Sequence, residues 1–150
     1  MKWNETIASK CRYGEIAGEI WGEAEIIWEN SLDNYQGYAV FLAAMPDGSF
    51  SYYEWSYGSC SGCDEWEAAD YSDEEIERLM RNNAAWLKDA EVTKRFFHLE
   101  GEFKDAKVPT ANSTTNGSIP GMMRYMFGGI GNDFNNAAKA LEDYLNGTSI

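Results

Sequence analysis

The chain has 150 residues, 44% hydrophobic and 15% aromatic, with a net charge of -13. That much apolar bulk excludes a disordered chain and suits one domain, burying about two thirds of the surface an unfolded chain exposes. No run of eighteen apolar residues occurs and Met1-Lys2-Trp3-Asn4-Glu5 lacks the layout of a secretory leader, so a cytoplasmic location is expected.

Residues 1–13 are expected to open with a short helix capped by Asn4. In the next stretch glycine recurs at Gly14, Gly18 and Gly22, each followed by Glu. Three glycines oppose a helix interior at roughly 1 kcal/mol each. From Gly22 on, Gly22, Ala24, Ile26 and Trp28 alternate with Glu23, Glu25, Ile27 and Glu29, which predicts a half-buried strand. Ser31-Leu32-Asp33-Asn34 is turn chemistry. Tyr35 to Met45 is apolar at both alternating sets of positions, as in a central strand. Pro46-Asp47-Gly48 closes a hairpin into a third strand, Ser49 to Tyr57, where Phe50 and Tyr52 alternate with Ser51, Tyr53, Trp55 and Tyr57.

Ser72-Asp73-Glu74-Glu75 reads as a capping box, with Ser72 accepting from the third amide of a helix and Glu75 reaching back to the Ser72 amide. Ile76, Leu79, Met80, Asn83 and Trp86-Leu87 continue at helical spacing, predicting an amphipathic helix from 73 to about 89. Glu91 to Glu100 extends it or starts another, with Val92, Phe96 and Leu99 as its buried side. Residues 108–121 are rich in turn formers and predict a long, mobile loop. Met122 to Phe127 is an adaptable apolar patch, read as core or as a docking surface, and Gly128 to Gly131 as a joint entering a helix. Phe134, Ala137, Ala138, Leu141, Tyr144 and Leu145 stripe that C-terminal helix, which Asn146-Gly147 ends. Strands first and helices after indicate a single α+β domain, 1–150, with an antiparallel meander of at least three strands in an acidic β-rich half, 14–71. A helical half, 72–150, packs on one face of that sheet.

Cys60-Ser61-Gly62-Cys63 leaves three readings open. Two residues between thiols is the spacing of half a zinc knuckle, for which Cys11 and His98, the single imidazole, are the remaining soft ligands. The same spacing serves thiol-disulfide chemistry, but Asp64, Glu65, Glu67 and Asp70 would raise a thiol pKa and weaken the nucleophile. In the third reading, two small thiols tie a tight loop between strand and helix.

Charge is the stronger signal. Between Tyr13 and Glu77 lie sixteen acidic residues and no Lys or Arg. Such a field repels nucleic acid and membrane phosphates and attracts basic surfaces. A carboxylate-studded domain can also occupy the basic groove of a nucleic-acid-binding protein in place of DNA, and the equal alternative is charge that serves solubility alone.

Asp33-Asn34-Tyr35-Gln36-Gly37, the following apolar strand, Asp47-Gly48 and Tyr57-Gly58-Ser59-Cys60-Ser61-Gly62-Cys63-Asp64 resemble a group of small bacteriophage and prophage proteins. The likeness covers residues 33–67. It implies a viral or mobile-element origin and a host-cell cytoplasm as the setting, and small acidic phage proteins include DNA-mimicking inhibitors of host defence nucleases. The expected function is therefore non-enzymatic binding of a basic host protein through Glu23, Glu25, Glu29, Asp64, Glu65, Glu67, Asp70, Asp73 and Glu74. The alternatives are a zinc- or thiol-dependent protein centred on Cys60 and Cys63, and a small-ligand binder using Tyr53, Trp55 and Tyr57 with the mobile loop.

Overall fold

The computed structural model describes residues 1–58, 66, 69–97 and 130–147. The cysteine loop, His98, the 108–121 loop and the Met122–Phe127 patch lie outside the described residues. Two short 3-10 turns, Trp3–Glu5 and Ala8–Lys10, lead into helix α1 (Gly14–Trp21). Strands β1 (Glu25–Glu29), β2 (Gly37–Ala44) and β3 (Phe50–Tyr57) follow, then α2 (Asp73–Asn83), β4 (Ala85–Leu87), α3 (Ala90–Phe96) and α4 (Ile130–Leu145). The sheet runs β1-β2-β3-β4 with each neighbouring pair antiparallel, so the protein is α+β and its meander has four strands.

The β2–β3 hairpin pairs Gly37 with Tyr57 at one end and Ala44 with Phe50 at the other. Its turn is closed by the Ser49 carbonyl accepting from Met45 N at 2.8 Å. Gly48 there has φ 92°, a left-handed value that favours glycine. Asp47 Oδ1 accepts from the amide and hydroxyl of Ser49, at 2.9 and 2.6 Å, and those two bonds hold its carboxyl below the usual range.

Helices cover both faces of the sheet, where one covered face was expected. Ile26, Phe41, Ala43, Tyr53, Trp55 and Tyr57 pack with Ala17, Ile20 and Trp21 of α1 and Ile76 and Met80 of α2. Val40, Leu42, Phe50 and Tyr52 pack on the opposite side with Phe96, Phe97, Ala137, Ala138 and Leu141 of the α3–α4 region. A central strand apolar on both faces leaves two surfaces to bury, so a second helical layer is required. Trp21 anchors the first layer: its ring stacks on Tyr53 (centroids 5.2 Å apart) and on Trp86 (6.0 Å), and its indole N–H donates to the buried Ser51 hydroxyl at 3.0 Å.

Gly14 to Trp21 is helical against the expectation drawn from its glycines. At Gly14 and Gly18 the missing side chains leave room for close neighbours. A Cβ on Gly14 would lie 2.4 Å from Ser9 O and 2.7 Å from Ala8 O, and one on Gly18 3.1 Å from Trp3 Nε1. Gly14 and Gly18 thus lie on the helix face that receives the N-terminal segment. That segment forms 3-10 turns, with Asn4 inside the first one and not at its cap; Lys2 precedes it, and Glu5 Oε1 accepts from Lys2 N at 2.7 Å. Met1 and Lys2 lie along β1, Lys2 bridging to Glu25 and Met1 O accepting from Ile26 N at 2.7 Å.

β1 begins at Glu25, three residues later than its alternation suggested. A register shift between Ile26, opposite Ala43, and Trp28, opposite Leu42, breaks that alternation. Ile26 therefore enters the α1 layer, while Trp28 stacks on Tyr52 in the other layer.

α2 ends at Asn83, not near 89, and the next residues form the unexpected strand β4, pairing Leu87 with Phe50. Ala84 and Trp86 face the α1 layer and Ala85 and Leu87 the α3–α4 layer, a period of two too short to show in the sequence. Only half of the capping box forms: the Ser72 hydroxyl accepts from Glu75 N and donates to Glu75 Oε1, both at 3.2 Å. α3 is a separate helix whose first turn is capped by Asp89 Oδ1, accepting from Val92 N at 2.9 Å. In α4, Ala137, Ala138 and Leu141 are buried and Tyr144 half-buried as the stripe requires, whereas Leu145 is exposed, and Gly147 follows the helix end with φ 72°. Among the described residues no helix is long and apolar enough to cross a membrane.

Candidate functional site

α1 and α2 lie side by side on one face of the sheet, and their solvent sides meet in an acidic cleft. Glu15 and Glu19 stand one turn apart on the exposed side of α1, while Ala17, Ile20 and Trp21 are buried. α2 contributes Asp73 and Glu74 from its first turn and Glu77 from its second. Acidic side chains suit that first turn, where free amides and the helix dipole carry partial positive charge. Together with Ile16 these five carboxylates line a cleft of about 310 Å³. Arg81 donates to Glu77 Oε2 through both Nε and Nη2, at 3.1 and 3.0 Å. This set of oxygens around one apolar side chain attracts positively charged groups and hydrogen-bond donors.

The expected partner-binding residues fall in several places. Asp73 and Glu74 line the cleft. Asp70 is exposed in the approach to α2 with φ 57°. Glu23 is exposed in the α1–β1 turn, and Glu25 lies on the sheet edge 3.8 Å from the Met1 amino group. Glu29 is engaged internally: Oε1 accepts from Ile7 N at 2.8 Å, and Oε2 accepts from Ala8 N at 3.1 Å and from the Ser31 hydroxyl at 3.0 Å. Asp64, Glu65 and Glu67 lie outside the described residues. Glu15, Glu19 and Glu77 went unnoticed; the signal for the first two is their spacing of four, which becomes a surface only once Gly14–Trp21 is read as a helix.

Not every carboxylate of the acidic half reaches the surface. Glu54 is 3% exposed on β3, opposite Val40. Tyr53, Trp55 and Tyr57, expected as a ligand-binding face, are themselves core at 2, 1 and 4% exposure, so that face is filled by the protein's own helices.

Of the zinc-ligand candidates, Cys60, Cys63 and His98 lie outside the described residues. Cys11 is buried, with Sγ directed at the carbonyls of Ile7, Leu32 and Tyr38 at 3.5 to 3.8 Å. Burial, with smaller contributions from Asp33 and Glu29, pushes its thiol up, against a lowering hydrogen bond from Tyr57. Such a thiol keeps its proton at neutral pH. Among the described residues no group of three or more His, Cys, Asp or Glu is arranged to hold a metal ion. Tyr57 closes this corner: its hydroxyl lies 3.4 Å from Asp33 Oδ1, and Arg12 sits over its ring at 5.3 Å.

Compared with models of known protein families, with curated proteins and with solved structures, the chain finds no significant match.

Proposed function

We propose that this chain is a non-enzymatic binding protein whose acidic face engages a basic partner protein. The observation that carries the reading is the α1–α2 cleft, where Glu15, Glu19, Asp73, Glu74 and Glu77 surround Ile16. Carboxylates spaced along two rigid helices meet a basic surface with little ordering cost, and their field speeds encounter with positively charged partners. The same field works against direct binding to nucleic acid or anionic membranes. A partner whose own ligand is nucleic acid fits best, since its basic groove presents lysines and arginines at phosphate spacing. The resemblance of residues 33–67 to phage proteins makes a host defence or nucleic-acid-handling factor the partner of choice, met in the host cytoplasm.

The test is capture from a host lysate at low salt on the immobilised chain, followed by affinity measurement on what is retained. Four exposed charge contacts contribute about 0.2–1 kcal/mol each. The variant Glu15→Gln/Glu19→Gln/Asp73→Asn/Glu74→Gln is therefore expected to weaken binding about tenfold and to flatten its salt dependence. Binding of unchanged strength and salt slope would overturn the proposal.

A further inference from the structure

We draw no further inference here: the strongest candidate, the acidic cleft between α1 and α2, belongs to the site already described, and no independent feature of the described residues ties its carboxylates to a particular ligand.

Discussion

Both oxygens of the Glu29 carboxylate are taken up in joining the N-terminal segment and Ser31 to the end of β1. Hydrogen bonds to a charged group contribute about 1.5–3 kcal/mol each when one partner is lost, less where water can replace it. Glu29→Ala is expected to cost about 1–3 kcal/mol in urea unfolding and to speed hydrogen exchange at the Ile7 and Ala8 amides, with Glu29→Gln intermediate. Cys11 and Tyr57 give the fold an alkaline limit. Burial raises the thiol above its ordinary 9.0, and burial together with the bond to Cys11 raises the phenol far above 10.0. In the unfolded chain both ionise at their ordinary values. Above about pH 9 the unfolded state thus binds fewer protons than the native one, and stability falls as pH rises. The unfolding midpoint is expected to drop progressively from about pH 9 upward, and the drop to be shallower in Cys11→Ala/Tyr57→Phe.

Among the elements, α1 shows where sequence reasoning failed and why. Glycine carries an intrinsic helix cost, but at Gly14 the space left by the missing Cβ is filled by the carbonyls of Ala8 and Ser9. Gly14→Ala gains about 1 kcal/mol of helix propensity, yet its contacts at 2.4 and 2.7 Å are with backbone that has no flexible end to yield. The expected outcome is a net loss of about 1–3 kcal/mol, read from thermal and urea unfolding, whereas Gly18→Ala, which meets only the Trp3 side chain, is near neutral. The β2–β3 hairpin was legible because its register is written twice, in the Asp47-Gly48 turn and in the apolar run of β2. α4 was legible from its stripe and terminal glycine. β1 was legible as a strand but not in its start or register, because a bulge breaks its alternation, and β4 was not legible, because three residues cannot display a period. The acidic cleft was half legible for the same reason. Asp73 and Glu74 announce themselves beside a Ser cap, while Glu15 and Glu19 acquire a common face only through a helix that tertiary contacts impose.

Taken whole, the molecule holds a net charge of -13, with five of its carboxylates gathered around the cleft between two adjacent helices. Like charges so placed repel one another in the folded state, and salt screens them over a Debye length of about 10 Å at 0.1 M. Raising sodium chloride from about 0.05 to 0.5 M is expected to raise the melting temperature of the isolated protein while weakening its complex with a basic partner. Opposite responses in the two measurements distinguish a charged docking face from charge that serves solubility alone. The two residues lying along β1 have a consequence for association of another kind. A strand at the margin of a sheet offers its amides and carbonyls to any extended chain that passes. Met1 and Lys2 occupy those groups at Glu25 and Ile26, with a lysine at the outermost position. The segment thus covers the Glu25–Ile26 end of this rim, where another copy of the protein would find the ladder groups already taken.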